Sequence, residues 1–162
     1  MNKDEIIELL QQLIAIPSLS KEEDKTADAM QVFLKAKGVE VNRHLNNVWA
    51  KNKFFDAAKP TILLNSHHDT VKPNQGYKKD PFKAIVEDEK LYGLGSNDAG
   101  GALVSLLAAF LFYYDKLIAY NLIFSATAEE EISGKKSAIA GGRPAALFRF
   151  RHGVMQERPA PG

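Results

Sequence analysis

Two short apolar runs that each end in a cluster of polar residues place the tightest limit on what this chain can fold into. The first run, residues 61–64, is followed by Asn65-Ser66-His67-His68-Asp69-Thr70, and the second, residues 122–127, leads to Glu129-Glu130-Glu131. Uncharged runs of this length are typical of buried strands. Polar groups that follow buried strands commonly form ligand sites at one edge of a sheet. The pattern therefore predicts one site at the ends of neighbouring strands.

Composition limits the kind of protein and the kind of ligand. The 162 residues are 45% hydrophobic and 25% charged, which predicts one globular domain. A net charge of +1 gives no reason to expect nucleic acid or an anionic membrane as a partner. The chain has no cysteine, so histidine and carboxylate side chains would have to bind any metal ion.

The N-terminus and the longest apolar stretch argue against export and membrane insertion. Met1-Asn2-Lys3-Asp4-Glu5 is acidic and polar, unlike a signal peptide. The apolar stretch at residues 102–114 is too short to cross a bilayer. A cytoplasmic enzyme is therefore expected.

Hydrophobic periodicity predicts the order helix, helix, strands, helix, strand. This order indicates α/β layering, and we expect a three-layer domain with a largely parallel central sheet flanked by helices. The strand at 61–66 is apolar on both faces and is predicted to be central. The helix at 99–114 is apolar nearly all the way round and is predicted to pack on most of its sides. The other predicted elements are a helix at 6–14, strands at 39–41, 48–55 and 121–127, and a hairpin at 82–86 and 90–92.

The second helix carries signals at both of its ends. Ser20-Lys21-Glu22-Glu23 has the spacing of a capping box, in which the Ser20 hydroxyl accepts a hydrogen bond from the Glu23 amide and Glu23 reaches back to Ser20. Gly38 is the predicted C-terminal stop.

The residues from about 138 onward differ in composition from the rest of the chain. Before residue 143 every basic residue except Arg43 is lysine, whereas from that position onward every one is arginine. Gly141-Gly142-Arg143-Pro144 and the last five residues show no helical or strand periodicity. We therefore expect residues 138–162 to be an aberrant, poorly ordered tail that follows a change of coding frame or an artificial junction. A flexible basic C-terminal tail is the alternative.

The first polar cluster has the geometry of a metal ligand with a supporting carboxylate. Residues i and i+2 of an extended chain point to the same side, so His67 and Asp69 can face one site while His68 faces away. A carboxylate beside a metal-binding imidazole holds its other N–H, fixes the tautomer and raises its basicity. Taken alone, a histidine at a strand end is more commonly an ordinary hydrogen-bonded residue.

The other two clusters each have an ordinary and a functional interpretation. Asp98 precedes a helix and can serve as its N-cap. It also occupies the place of the third glycine of a dinucleotide-binding fingerprint, which argues against that interpretation of Gly93-Leu94-Gly95. The adjacent carboxylates of Glu129-Glu130-Glu131 repel one another and fit either a solvated turn or a site for a dication. A bound dication would relieve the repulsion, and a neighbouring glutamate could take a proton from water.

Three segments together resemble the successive motifs of a known superfamily. They are Ser66-His67-His68-Asp69-Thr70-Val71, Leu91-Tyr92-Gly93-Leu94-Gly95-Ser96-Asn97-Asp98 and Ala128-Glu129-Glu130-Glu131. Their order and spacing resemble the zinc-dependent aminoacylase/carboxypeptidase superfamily over residues 6–134. The sequence is most similar to its acetylornithine deacetylase and succinyl-diaminopimelate desuccinylase branch.

The resemblance implies a two-metal hydrolase of the amide bond in a small N-acyl amino acid. The implied cofactors are two divalent metal ions, zinc foremost, with cobalt or manganese as alternatives. His67 would bind one metal, Asp98 would bridge both and Glu131 would bind the other. Glu130 would be the general base, and Asp69 would orient His67. Full-length members are expected to be homodimers.

The chain also departs from the pattern of the superfamily. Members carry a further acidic ligand and a last histidine in a chain more than twice this long, whereas only Glu157 and His152 follow Glu131 here. Both lie in the tail, and neither is assigned as a ligand. Each metal would then have two protein ligands, where catalytic zinc usually has three. We expect residues 1–137 to be the N-terminal part of a metallohydrolase catalytic domain, with little activity of its own.

Three functions stay open on this basis. The first is deacylation of an N-acyl amino acid, with acetylated ornithine as the leading substrate. The second is the activity of another branch member, a succinyl-diaminopimelate desuccinylase or a dipeptidase. The third, of a different class, is a non-catalytic metal-binding or interaction fragment.

Overall fold

A computed structural model describes residues 1–132 in full and residues 147–151 and 154–158 as backbone strands only. The helices with defined bounds are α1 Lys3–Ile14, α2 Asp24–Ala36 and α3 Gly101–Tyr113, the last preceded by a kinked turn, Ser96–Gly100. The strands are β1 Asn42–His44, β2 Asn47–Lys51, β3 Thr61–His67, β4 Ile85–Glu87, β5 Lys90–Tyr92, β6 Asn121–Thr127, β7 Leu147–Arg151 and β8 Val154–Arg158.

Strands β1, β2, β6 and β3, in that order, form a four-stranded mixed sheet. β3 and β6 are parallel, whereas β2 runs antiparallel to both β1 and β6. The predicted α/β class is confirmed, but the sheet is less parallel than expected because the short turn between β1 and β2 allows only antiparallel pairing. Every residue of β6 is buried, as predicted for that strand.

Strand β3 lies at the edge of this sheet in the described part of the chain, and not at its centre as predicted. Thr61 and Ile62 are exposed, and Ile62 keeps 44% of its surface accessible. The uncharged pattern predicted a strand covered on both faces, but within the described residues only Ser66 and His67 of β3 are buried. The pattern also does not reveal whether a further strand pairs with the outer edge.

Helix α3 also differs from the prediction that most of its sides are packed. Leu103, Val104, Leu107 and Phe110 are buried, whereas Phe112 is 59% exposed. The buried positions follow the spacing of a single helical face. Within the described residues, α3 therefore has one packed face although its composition is apolar all round.

The core lies between this face of α3, the other two helices and one face of the sheet. Val48 of β2 pairs directly with Ala126 of β6, so their side chains share that face. All three helices contribute to the same cluster, which gives one helical layer in the described residues. The predicted three-layer arrangement also requires helices on the other face of the sheet, and that second helical layer stays a prediction. The fully buried members of the cluster include Ala27, Met30, Leu34, Val48, Ala50, Leu107, Phe110, Phe124 and Ala126.

The capping box predicted for α2 is wrong. The helix begins at Asp24, its N-cap residue is Glu23, and no side chain caps it. The Ser20 hydroxyl donates instead to Asp69, and the Glu23 carboxylate accepts from amides outside the helix. The motif spacing is present, but both side chains make hydrogen bonds outside the helix, to Asp69 in one case and to the amides of Lys21 and Glu129 in the other. The predicted stop at Gly38 is confirmed, because α2 ends at Ala36 and Gly38 has a φ of 74°.

The predicted tail, residues 138–162, is described only over two strands. β7 and β8 pair antiparallel and form a two-stranded sheet of their own. Residues 133–146, 152–153 and 159–162 lie outside the described residues, and so does the predicted boundary at 138. Both the boundary and the origin of the tail stay predictions. None of the helices among the described residues is long and apolar enough to cross a bilayer.

Candidate metal centre

The parallel pairing of β3 and β6 brings the two polar clusters to one edge of the sheet. His67, the last residue of β3, is in register with Thr127, the last residue of β6. Residues that follow two parallel neighbours must emerge side by side. The segment after β3 therefore lies next to Glu129-Glu130-Glu131, where a helix begins at Glu130.

The imidazole of His67 is held on one side and faces carboxylates on the other. Its Nδ1 lies 3.3 Å from Asp69 Oδ1 and 3.1 Å from the Asp69 carbonyl oxygen. Its Nε2 lies 3.1 Å from Asp98 Oδ1 and 3.7 Å from Glu130 Oε2. Since Nδ1 is occupied, Nε2 is the nitrogen available to a ligand in the opening.

Asp98 reaches this position through a tight turn that requires glycine. Gly95 has a φ of 72°, and a Cβ there would lie 2.7 Å from Thr70 Cγ2. The kinked turn that follows carries Asp98 in a non-helical backbone conformation (φ −122°, ψ 94°), with its side chain 79% exposed. The peptide bond between Asp98 and Ala99 is cis. Asp98 thus approaches the imidazole from the solvent side.

Besides the imidazole of His67, Asp69 also fixes the acidic turn, Glu129-Glu130-Glu131. The sequence did not predict this second role. It is fully buried, and its Oδ1 and Oδ2 accept hydrogen bonds of 3.1 Å from the amides of Glu130 and Glu131. The Ser20 hydroxyl donates to Oδ2 at 2.7 Å. One carboxylate therefore sets the imidazole and the start of the helix relative to each other. These contacts join residues 49 to 62 positions apart, so no local spacing reveals them.

His68 points away from the site, as the alternation of an extended chain predicts. Its Nε2–H donates to the Asn46 carbonyl at 2.9 Å, and its Nδ1 lies 2.9 Å from the Thr26 hydroxyl. Burial lowers the pKa of His68, which favours the neutral ring. The two adjacent histidines thus have different surroundings, and only His67 faces the carboxylates.

The electrostatic surroundings suit a positively charged ligand. The hydrogen bond with Asp69 raises the pKa of His67 to about 9, against the opposing effect of burial, and Asp98 adds to the rise. Burial raises the pKa of Asp69, but hydrogen bonds from His67, Ser20 and the two glutamate amides lower it to about 2. Burial, followed by the negative charge of Asp98, raises the pKa of Glu131. Concentrated negative charge is what a dication would neutralise.

The donor set fits a divalent metal ion. His67, Glu130 and Glu131 each offer a ligand atom, and these atoms lie within 4.8 Å of one another. One imidazole nitrogen with carboxylate oxygens is the ligand chemistry of zinc, cobalt or manganese sites. The trio includes Glu130, for which the superfamily resemblance implies the role of general base, whereas Asp98 meets His67 at 3.1 Å from outside the trio. The structure brings all five predicted site residues together.

An open cleft of about 210 Å³ adjoins the carboxylates. Asp98 and Glu131 line it on one side. A small substrate could enter there and present a carbonyl to the cluster. The remaining lining residues are Thr70, Val71, Tyr77 and the turn at 93–97.

Comparison with known families gives one match that covers more than half of the chain. The model of peptidase family M20/M25/M40 matches residues 63–160. This span contains His67, Asp69, Asp98, Glu130 and Glu131.

Curated relatives are similar over most of this chain but are much longer. A succinyl-diaminopimelate desuccinylase of Methylobacterium sp. (strain 4-46) is 31% identical over 94% of this chain and 42% of its own length. An acetylornithine deacetylase of Buchnera aphidicola subsp. Schizaphis graminum is 33% identical over 77% of this chain and 36% of its own length. The chain thus spans about two fifths of the length of these relatives.

Solved structures share the fold of the chain. An M20 family metallo-carboxypeptidase from Sulfolobus solfataricus superposes with a TM-score of 0.68 and 26% identity, over 83% of this chain and 32% of its own. The YXEP protein of Bacillus subtilis, described as a dinuclear metal-binding peptidase, superposes with a TM-score of 0.60 and 20% identity, over 85% of this chain and 39% of its own.

Proposed function

The chain belongs to peptidase family M20/M25/M40, and on that premise we propose that it carries the metal-binding part of a hydrolase that cleaves the amide bond of N-acyl amino acids. One observation supports this most directly. His67 Nε2 meets the carboxylates of Asp98, Glu130 and Glu131 beside an open cleft. An imidazole and several carboxylates directed at one point are what a two-metal hydrolytic site needs.

We assign the ligands as the superfamily resemblance implies. His67 and Glu131 would each hold one ion, and Asp98 would be a ligand shared by both. Ions bound there would polarise the acyl carbonyl and increase the acidity of a water molecule. Asp69 holds Nδ1 of His67, so that Nε2 presents its lone pair to the opening.

Glu130 is assigned as the general base. Its side chain is about half exposed, and its Oε2 lies 3.7 Å from His67 Nε2, so it reaches both the opening and the ligand cluster. It accepts a proton from the attacking water as the carbon–oxygen bond forms. The same group then protonates the amine nitrogen as the carbon–nitrogen bond breaks, which releases the acid and the free amino acid.

The relatives narrow the substrate class without selecting one substrate. Their names include succinyl-diaminopimelate desuccinylase, acetylornithine deacetylase and a hydrolase of LysW-linked lysine or ornithine. All three acylated compounds are diamino acids in which one amine forms the amide. We therefore propose an N-acyl diamino acid, with desuccinylation at least as well supported as the deacetylation that the sequence placed first. Dimerisation and a cytoplasmic location stay predictions.

A second function, metal binding without turnover, is favoured by the length of the match. The chain spans 35–44% of the length of the curated relatives, so groups that complete the site in those proteins can lie in the remainder. The two functions differ in hydrolysis but agree in metal binding.

Metal content and hydrolysis of the purified chain test both proposals. The chain is dialysed against zinc or cobalt, its metal content is measured by elemental analysis, and release of amine from N-succinyl-diaminopimelate and N-acetylornithine is followed. We expect binding that His67→Ala abolishes and that His44→Ala, a change at an exposed histidine outside the site, leaves intact. Turnover should lie far below the rate of about 1–10³ s⁻¹ normal for enzymes. Equal metal content in the His67→Ala chain would overturn the assignment, and a normal rate would exclude the second function.

A further inference from the structure

A buried carboxylate that the proposed chemistry does not use lies behind the metal centre. Glu23, in the loop before α2, is fully buried. Its Oε1 accepts hydrogen bonds from the amides of Lys21, at 2.8 Å, and Glu129, at 3.1 Å. Its Oε2 accepts from the side-chain amide of Asn46 at 3.1 Å. A buried carboxylate is tolerated only when such donors replace its water.

The contact with Glu129 reaches the acidic turn across 106 positions of sequence. Glu129 has a φ of 60°, a left-handed conformation that residues other than glycine seldom adopt. A hydrogen bond to a charged acceptor is among the stronger contacts available to hold such a residue. The direction in which Glu130 and Glu131 leave the sheet depends on this residue.

Glu23 and Asp69 divide the turn between them. Glu23 binds the amide of Glu129, and Asp69 binds the amides of Glu130 and Glu131. Three consecutive backbone N–H groups are thus fixed from behind by two buried carboxylates.

The same network reaches the other side of the site. Asn46 donates to Glu23 through its side chain and accepts from His68 through its carbonyl. His68 follows His67 in the chain, so Glu23 connects the segment that carries the imidazole to the turn that carries the glutamates.

We propose that Glu23 is a positioning residue of the metal centre, which sets Glu130 and Glu131 relative to His67 by holding the Glu129 amide. The proposal rests on the metal-binding function proposed above. Without Glu23 the Glu129 N–H loses its acceptor, and the left-handed turn is free to relax. Ligand atoms displaced in this way bind an ion less well, as loss of supporting hydrogen bonds typically weakens metal affinity about 10–100-fold.

The test compares Glu23→Gln with Glu22→Gln in the complete 162-residue chain. The two changes are chemically identical, but Glu22 is exposed. Hydrogen exchange of the Glu129 amide is followed by NMR in the metal-free chain, and the dissociation constant for Co²⁺ is measured by calorimetry together with its visible absorption spectrum. The Glu23→Gln change places a side-chain N–H₂ group among hydrogen-bond donors, so the new side chain cannot reproduce all of the contacts of the carboxylate.

We expect Glu23→Gln to accelerate exchange of the Glu129 amide about tenfold or more, in line with the strength of hydrogen bonds to charged groups. The dissociation constant for Co²⁺ should rise about 10–100-fold, with an altered spectrum, while Glu22→Gln changes neither. Unchanged exchange and an unchanged dissociation constant in a folded Glu23→Gln chain would overturn the proposal. A loss of stability alone, with normal Co²⁺ affinity and spectrum in the folded chain, would show a purely structural role and would also overturn it.

Two further outcomes are separable. If the unsubstituted chain binds no Co²⁺, the metal-binding function fails, and exchange at Glu129 alone decides whether Glu23 positions the turn. If Glu23→Gln does not fold, Asn46→Ala removes one donor to Glu23 from a half-buried position. It should shift both measurements in the same direction by a smaller factor, and no shift would overturn the proposal.

Discussion

The rear and the front of the metal centre are built in opposite ways. At the rear, Asp69 and Glu23 are fully buried and accept hydrogen bonds from amides and hydroxyls of distant segments. At the front, Asp98 and Glu130 are 79% and 48% exposed in their side chains, and each faces Nε2 of His67. The carboxylates at the rear are satisfied by hydrogen bonds within the protein, whereas the front gathers exposed carboxylates around one imidazole, where a dication would neutralise their charge.

This difference teaches which part of a site a short motif describes. The front residues form the motifs, because groups that contact a shared ligand follow strand ends at regular spacing. Of the rear residues, Asp69 belongs to the first motif, whereas Ser20 and Glu23 hold the site in place from elsewhere in the chain. Changes at the front should therefore alter metal binding or catalysis with little effect on folding. Changes at the rear should alter the stability of the fold as well as metal binding.

The largest effect should come from the front, and it separates the base from the ligands. Glu130→Gln keeps nearly the shape of the acid but cannot accept a proton, so residual hydrolysis by the zinc-loaded chain should fall about 10²–10⁴-fold. Its metal content should not change. Glu131→Gln should instead lose metal, because a neutral amide is a poorer ligand for a dication.

Elemental analysis beside the rate of amide hydrolysis distinguishes these roles. The control is Glu129→Gln, a neighbouring exposed glutamate outside the ligand trio. Loss of metal from Glu130→Gln, with both ions retained in Glu131→Gln, would reverse the two assignments.

At the rear, Asp69→Asn should weaken folding as well as binding. The amide cannot accept from both glutamate amides and also from Nδ1 of His67, so buried donors lose their partner. The free energy of unfolding in urea should fall by about 2–4 kcal/mol. In the metal-free chain, Asp98→Asn should change it by less than about 0.5 kcal/mol, as is typical of exposed positions. Equal losses from the two variants would remove the distinction between rear and front.

The part of the fold that follows from local pattern was predictable from the sequence. Strand β6 is buried throughout, and the residues after β3 and β6 meet at one sheet edge. The position of β3 at the edge was not predictable, because side-chain pattern reports the covering of faces and not the number of neighbouring strands.

The support of the site was not predictable for a related reason. Ser20 and Glu23 have the spacing of a helix cap, and nothing in that spacing shows that Asp69 and the Glu129 amide take their side chains. The two partners are 49 positions apart in the first contact and 106 positions apart in the second. Such contacts depend on how the helices and strands pack, and a local sequence pattern does not contain that information. The contacts that the sequence analysis missed therefore lie at the rear of the site and do not involve the proposed ligand atoms.

In the metal-free chain, the pH dependence of stability should report on His67 in the alkaline range and on Asp69 in the acidic range. His67 has a raised pKa of about 9, so its protonation stabilises the fold fully below its unfolded value near 6.5. That contribution is lost as the pH rises through about 9. Asp69 has a lowered pKa of about 2, so its contribution is present above about 4 and lost as the pH falls through about 2.

Unfolding midpoints in urea between about pH 2 and pH 10 measure this dependence. The metal-free chain should be most stable between about pH 4 and 6.5, and His67→Gln should remove the decline on the alkaline side. The control His44→Gln, at an exposed position, should leave the profile unchanged. An alkaline decline that persists in His67→Gln would show that another group causes it.

The smallest effect should come from Ser20, and it decides which partner that residue serves. Its hydroxyl donates to Asp69 Oδ2 at 2.7 Å, so Ser20→Ala should lower the free energy of unfolding by about 1 kcal/mol. A helix cap would give a loss of similar size, so the single variant is not decisive. A double-mutant cycle with Asp69→Asn is decisive, because residues in contact give non-additive changes whereas independent sites add within about 0.5 kcal/mol. We expect the loss from Ser20→Ala to shrink when Asp69 is already changed. Fully additive losses would indicate that Ser20 acts at the start of α2 and contributes nothing to holding Asp69.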